Sequence, residues 1–440
     1  MILELKFRNW KSFRDETRLN LVATDERRLS ARVPRLRRSP ALKASPVAAL
    51  YGGNASGKSN LFSLLAFLRW LVLTPPQDGR AEIPLEPFAL SDEGRRSPTE
   101  VSLTFLAADD AIYELALSLS STEVLEESLS QVRRNGVVPL YRRSGREVRL
   151  LHPALERSRD ARACALLVGA SRPFLGFAGQ HVPALGVPLL WFRDQLTLID
   201  PRTSFHGFRD MFASGITDVE ALSGLLADLD TGIRRLGLEE TSLAALPRQG
   251  LASELAARLG DGGSLELNLG GLRYVISKDG DRLTVRKMVS YHRAPDGGEA
   301  QFDLGQESEG SLRLLDILPA FIDLERNGSR KVYVIDELDR SWHYLLSRRL
   351  LGIYLSRCSE ATRSQLLFST HDIMLMDQSL FRRDEMLVTE RGEDGASTLF
   401  SFADFAIRHD KDLRKLYLSG ALGGVPRLSR YGSLLGAAGG

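Results

Sequence analysis

The octapeptide GGNASGKS at residues 52–59 constrains this chain more than any other stretch. It follows the apolar run VAALY and precedes Leu61, Leu64, Leu65 and Leu68, which share one face of a helix by their i, i+3, i+4, i+7 spacing. A buried strand, a glycine turn and a helix in immediate succession make one phosphate-binding unit of the GxxxxGK[ST] form. Gly52, Gly53 and Gly57 let the backbone curl so that its N–H groups point at phosphate oxygens. The candidate nucleotide-binding residues are therefore Gly52, Gly53, Asn54, Ala55, Ser56, Gly57, Lys58, Ser59 and Asn60. Lys58 would reach the β- and γ-phosphates and the Ser59 hydroxyl would sit on Mg²⁺, so ATP and Mg²⁺ are the expected ligands. The positive end of the following helix faces the same anion.

The chain has 440 residues, room for two or three domains, and 43% hydrophobic residues, enough for a sizeable core. Near the N-terminus, Ile2, Leu3, Leu5 and Phe7, then Leu19 and Leu21, read as two strands joined by a turn around 11–15. Pro75 and Pro76 end the helix after the glycine turn, and two more strands are expected near 101–106 and 112–119. From 121 to 264 helical patterns take over, as in VEALSGLLADLDTGIRRL and SELAARL, although the first part also reads as a β-hairpin. Strands return at 265–269, 274–277 and 283–291, followed by helix, apolar strand, helix and apolar strand. That alternation predicts an α/β fold with a mostly parallel sheet, an antiparallel β subdomain and a helical insertion. The expected divisions are residues 1–120, an N-terminal lobe with the glycine turn; 121–264, a mainly helical insertion; and 265–440, a C-terminal lobe.

Several classes are disfavoured. No apolar run reaches the ~18 residues of a membrane span, and the run at 61–74 carries Arg69. The alternating N-terminus lacks a signal-peptide core. Cys164 and Cys358 form neither a metal-ligand spacing nor a disulfide framework, which fits a cytoplasmic protein. Net charge is only +2, but Arg27, Arg28, Arg32, Arg35, Arg37, Arg38 and Lys43 form one basic segment. Arg133, Arg134, Arg142, Arg143, Arg146 and Arg149 form a second. A solvated loop and a nucleic-acid contact both stay open for them.

Residues 331–337 read KVYVIDE, a buried-type strand ending in two acids. Asp336 can hold the Mg²⁺ shell, and Glu337 beside it can polarise the attacking water as general base. A second apolar strand, at 366–369, runs into Thr370, His371 and Asp372. The gap from Asp336 to His371 fits one strand–helix–strand unit, so His371 should reach the same sheet edge and hydrogen-bond a γ-phosphate. Residues 304–311, LGQESEGS, precede an apolar helix pattern. Ser308 and Gly310 there combine a hydroxyl, free N–H groups and a helix dipole, an anion site, though Ser308 reads equally as an ordinary N-cap. Glu307 and Glu309 would have to point away from such an anion.

Together these motifs resemble the ABC-type ATPase class that includes SMC, RecF and OLD proteins, and ILELKFRNWKSF resembles its N-terminal strand and turn. More narrowly, GGNASGKSNL, EPFAL at 86–90, ESEGSLRLLDILP, VIDELDRSWH, STHD and YLSGALGGVP resemble AAA-domain ATPases of bacterial phage-defence and abortive-infection operons. PARIS-type ATPase components are similar. The resemblance covers roughly residues 1–120 and 265–426. It implies that Ser308 and Gly310 act in trans on a γ-phosphate held by a second subunit, and that Asp339 is a dimer-contact aspartate. An N-cap role stays open for Asp339. Trp342, His343 and Tyr344 stand where the class has a small residue and His-Pro. For the glutamine that usually contacts Mg²⁺, Gln131 and Glu127 are equal stand-ins.

The resemblance implies a homodimer or higher homo-oligomer, a separate nuclease or toxin-like effector encoded nearby, and hydrolysis that controls that effector in anti-phage defence. The alternative is a RecF- or SMC-like ATPase of DNA maintenance; no long heptad arm favours it. A transporter subunit fits worst, given the long insertion. Asp377, Asp384 and Glu385 show no DxD or HNH spacing, so no nuclease site is expected.

Overall fold

The computed structural model describes residues 1–74, 82–201, 218–229, 231–242, 259, 263–269, 271–280, 282–405 and 411–425. The chain forms two compact units: residues 1–198, 330–336 and 358–440 make the first, and residues 199–329 and 337–357 the second.

The first unit holds two sheets. One is antiparallel, ordered β10 (Glu147–Leu150), β9 (Gly136–Ser144), β8 (Val124–Arg133), β7 (Ile112–Leu119), β6 (Thr99–Leu106), β1 (Ile2–Arg8) and β2 (Thr17–Asn20). The expected N-terminal strand pair is present, with Phe7 opposite Thr17 and Leu5 opposite Leu19. The other sheet is ordered β11 (Leu196–Ile199), β17 (Val332–Ile335), β18 (Gln365–Ser369), β5 (Val47–Tyr51), β19 (Met386–Arg391) and β20 (Ser397–Ser401). From β17 to β19 its neighbours run parallel, and β20 returns antiparallel. Every residue of β5, β17 and β18 is buried. A central parallel strand has both faces covered, so its sequence is continuously apolar. Helix Lys58–Leu73 follows the glycine turn and buries Leu61, Leu64, Leu65 and Leu68, the predicted stripe. It ends at Thr74; Pro75 and Pro76 lie outside the described residues. The small pair β3 (Arg35–Leu36) and β4 (Ser39–Lys43) stands apart.

The expected boundary at 121 falls inside the antiparallel sheet, because β8 pairs with β7 along its length and β9 and β10 extend the sheet. The β-hairpin alternative for the first part of that segment matches the antiparallel β8–β9 pair, while register shifts after Ser118 and Leu129 break the period-two pattern that would have favoured it over the helical reading. The short helices between 153 and 190 also belong to the first unit. Phe174, Leu175, Trp191 and Phe192 are fully buried in its core, with Trp191 4.4 Å from Phe105 ring to ring.

The second unit centres on a sheet ordered β12 (Ile233–Thr241), β15 (Arg282–Arg293), β14 (Leu272–Asp279) and β13 (Ser264–Leu269), with β16 (Glu299–Asp303) also paired to β15. The helix expected over 219–236 stops at Asp228, and Ile233–Thr241 is strand instead. Gly232, at φ +79°, interrupts the helical path, while the buried Ile233 and Leu236 stand three apart, a spacing that also suits a helix face, so spacing alone could not tell strand from helix. Apart from Leu259, SELAARL lies outside the described residues. Helices Glu309–Glu325 and Tyr344–Arg357 pack together in this unit. Arg273 on β14 donates to the buried Asp316 carboxylate of helix Glu309–Glu325 at 2.6 Å.

Candidate nucleotide site

In the first unit, three strand ends meet. Ile335 lies opposite Phe368 across β17 and β18, and Ser369 lies opposite Leu50 across β18 and β5. These strands run parallel, so Asp336 after β17, His371 after β18 and the glycine turn after β5 leave from one sheet edge. Ser369 donates its hydroxyl proton to the Asp336 carboxylate in a short hydrogen bond. His371 is exposed there, and Asp336 is half-buried.

The glycine turn is held from below by the C-terminal strands. Ser56 Oγ sits 2.7 Å from Thr389 Oγ1 on β19. Gly52 has φ +145°, and a Cβ on it would lie 2.5 Å from Thr389 O. Gly57 has φ +115°, and a Cβ there would meet Ser397 Oγ at 2.8 Å. Ala55 is the third residue with positive φ, at +59°, whereas Gly53 is not among them. Lys58 is buried, and its ammonium donates to Gly52 O at 2.7 Å and Gly53 O at 3.1 Å, folding back over the turn. The helix beginning at Lys58 has no side-chain cap, so its first N–H groups face the turn's mouth. Asn54, Ala55 and Ser59 are exposed. An uncapped helix start, a curled backbone, a folded-back ammonium, an exposed hydroxyl and a carboxylate together fit a magnesium nucleotide.

The N-terminal motif reaches the same turn. Trp10 Nε1 donates to Asn60 O at 2.8 Å, and the Asn60 amide donates to Ser12 Oγ at 2.8 Å. Ser397 Oγ also lies 2.8 Å from Ser12 Oγ. Asn9 Oδ1 accepts from Phe88 N at 2.9 Å, so RNWKSF carries the EPFAL segment. A cleft of about 740 Å³ opens between them, lined by Lys11, Ser12, Ala55, Asn60, Phe88 and Leu90 among others. Its size suits a nucleoside.

The second unit carries the remaining candidates. Glu337, at φ +51°, begins a tight turn closed by Arg340 N donating to Glu337 O at 3.2 Å, and Ser341 ends it at φ +70°. Asp339 lies inside this turn and is not a helix cap, since the next helix starts at Tyr344. Leu345 N donates to His343 Nδ1 at 3.3 Å, which secures that helix start without the proline. Ser308 caps helix Glu309–Glu325, accepting from Ser311 N at 3.1 Å, and is itself exposed. Each of the two neighbouring acids has a partner of its own. Glu307 Oε1 accepts from Ser290 Oγ and lies 2.6 Å from His292 Nε2, both on β15. Glu309 faces Arg340 at 3.6 Å. A Cβ on Gly310 would meet Ser341 O at 2.4 Å.

Neither stand-in glutamine candidate is spare. Glu127 is fully buried and accepts from Tyr141 Oη, Phe174 N and Leu175 N, and burial pushes its carboxyl up against the pull of these partners and Arg143. Gln131 accepts from Arg133 Nε at 2.7 Å. The basic segments are largely engaged with protein. Arg32 pairs with buried Glu385, Arg35 with Glu360 at 2.7 Å, and Arg37 with Asp110 at 3.4 Å. Arg143 is buried and donates to the Gly145, Gly169, Ala170 and Arg172 carbonyls. No described helix is long and apolar enough to cross a membrane.

The phosphate turn, with the buried parallel strand before it and the helix after it, defines an ATP-binding P-loop ATPase domain. The chain belongs to the family described as "AAA domain, putative AbiEii toxin, Type IV TA system", whose model matches residues 47–154 and 190–377. No curated protein matches it. Similar solved structures include an SMC head bound to the C-winged helix domain of ScpA, 13% identical, covering 91% of this chain and 97% of that one at TM-score 0.44. The SMC head domain from Thermotoga maritima is 15% identical, covering 91% and 98% at TM-score 0.35. The recombination mediator RecF with ATP, of the RecFOR pathway, is 13% identical, covering 91% and 99% at TM-score 0.37.

Proposed function

We propose that this chain binds ATP between two copies of itself, hydrolyses it, and uses the resulting change to control a separate effector in anti-phage defence. The observation that carries the enzymatic part is the adjacency of the β17, β18 and β5 ends, from which Asp336, His371 and the glycine turn all depart. Lys58 and the turn's N–H groups bind the phosphates. Ser59 and Asp336 hold Mg²⁺, which neutralises charge developing on the phosphate oxygens. Glu337 takes the proton of the attacking water, and His371 hydrogen-bonds the γ-phosphate. Ser308 and Gly310 complete the site on the partner copy, and Asp339 contributes to the contact between copies. The pairing of Glu307 with His292, and of Glu309 with Arg340, supports this by keeping carboxylates off the Ser308 turn. The family's toxin–antitoxin description supports the effector reading. The cytoplasm is the compartment where such a partner and ATP would be met.

The test separates binding from chemistry. Lys58→Ala should lose ATP binding, and Glu337→Gln should keep binding while turnover falls about 10²–10⁴-fold. A Lys58→Ala chain with unchanged affinity would remove the phosphate assignment.

A further inference from the structure

The turn 337–341 holds a residue that the motifs do not assign. Arg340 is a partly exposed guanidinium standing between two carboxylates of different origin. Its Nη2 lies 3.6 Å from Glu309 Oε1, and its Nη1 lies 3.9 Å from Glu337 Oε2. Nη1 also donates to Pro201 O at 3.2 Å. Glu309 is the first residue of the helix that Ser308 caps. The same guanidinium therefore lies within ion-pair range of Glu309, beside Ser308, and of Glu337, the residue after Asp336.

The backbone makes a second connection between those two places. Gly310 approaches Ser341 so closely that a Cβ would sit 2.4 Å from Ser341 O. Both ends of the 337–341 turn are non-glycine residues with positive φ, Glu337 at +51° and Ser341 at +70°. Such conformations persist only when their surroundings hold them. The close approach leaves little room for the Ser308–Gly310 turn to move toward Ser341 without displacing the turn that carries Glu337.

We propose that Arg340 is a positioning residue that couples the Ser308–Gly310 turn to the Glu337 carboxylate. With Glu309 as its other partner, Arg340 holds Glu337 in one orientation. An anion arriving at the Ser308 turn competes with Glu309 for the guanidinium and changes its hold on Glu337. Arrival of a phosphate at one place is thereby reported to the general base at another. This rests on the reading of Glu337 as general base and of Ser308 as a phosphate contact.

The experiment measures ATP affinity, kcat and KM for Arg340→Ala, Arg340→Lys, Ser308→Ala, the Ser308→Ala/Arg340→Ala pair, and Glu337→Gln. Arg340→Ala should lower kcat roughly ten- to a hundredfold with the melting midpoint unchanged, while KM and ATP affinity shift by no more than about two- to fivefold from the release of Glu309. Arg340→Lys should recover a large part of the loss. The double variant should be no slower than the slower single, because both break one connection. Wild-type kcat in Arg340→Ala, or losses that multiply in the double variant, would overturn the coupling while an inactive Glu337→Gln leaves the general base standing. A fully active Glu337→Gln would overturn both.

Discussion

Glu307 Oε1 lies 2.6 Å from His292 Nε2, so the acid immediately before Ser308 is held by a strand of the five-stranded sheet and turned from the helix start. A free carboxylate beside a helix N-terminus would compete with an incoming phosphate for the same N–H groups. Removing both of its partners, with His292→Phe and Ser290→Ala together, should release it. ATP-dependent pairing, followed by sedimentation with a non-hydrolysable analogue, should then need about two- to fivefold more protein, the equivalent of about 0.3–1 kcal/mol. Unchanged pairing would show that the orientation of Glu307 is indifferent to the Ser308 turn.

The glycine turn has no room for a methyl group. Gly57→Ala faces Ser397 Oγ at 2.8 Å in a left-handed conformation, and Gly52→Ala faces the Thr389 carbonyl at 2.5 Å. Both variants should lose ATP affinity at least tenfold. Thr389→Val removes only the hydroxyl that meets Ser56, and should cost about 1 kcal/mol of stability with a smaller loss of affinity. Titration with a fluorescent nucleotide, read alongside thermal melts, ranks the three; a Gly57→Ala chain binding normally would contradict the geometry.

Composite sites predict complementation. Lys58→Ala and Ser308→Arg chains should each be inactive alone. Mixed, they form a heterodimer in which one site carries both defects and the other neither, so part of the activity should return. Native mass spectrometry establishes that the heterodimer is present. Its presence without recovered hydrolysis would mean that each chain completes its own site.

The basic N-terminal segment should behave as structure. Glu385 is fully buried against Arg32, and Arg382 Nη2 donates to Asp384 at 2.7 Å beneath it. Glu385→Ala strands a buried guanidinium and should cost about 3–5 kcal/mol in denaturant unfolding. Reversing Arg35 and Arg37, which pair on the surface with Glu360 and Asp110, should cost under about 1 kcal/mol each. If those reversals instead abolish a salt-sensitive DNA or RNA affinity, the segment is an interface after all.

What could be read in advance was what is local. GGNASGKS, the run into Asp336 and the run into His371 each lie within one strand and its following turn, and the sheet order brings them to one edge. The supports were hidden because they come from afar: Thr389 and Ser397 reach the glycine turn from strands near the other end of the chain. No pattern around Glu307 announces His292, since the partner sits on another strand. Strands β8 and β9 can be read only as an alternative hairpin because bulges break their alternation, and Ile233–Thr241 reads as helix because buried residues three apart suit a helix equally well.

The position of β5 between β18 and β19 has a consequence for how the protein is made. Ser56 and Thr389 stand 333 residues apart in the chain. At ~5–20 residues per second, the glycine turn leaves the ribosome roughly 20–70 s before the strand that props it up exists. During that interval the VAALY segment has neither of its parallel neighbours and exposes an apolar strand with two open edges. A nascent chain therefore cannot capture ATP as it emerges, and its nucleotide site is among the last parts to close. Chaperone dependence and aggregation of C-terminally truncated chains should follow from that order of events.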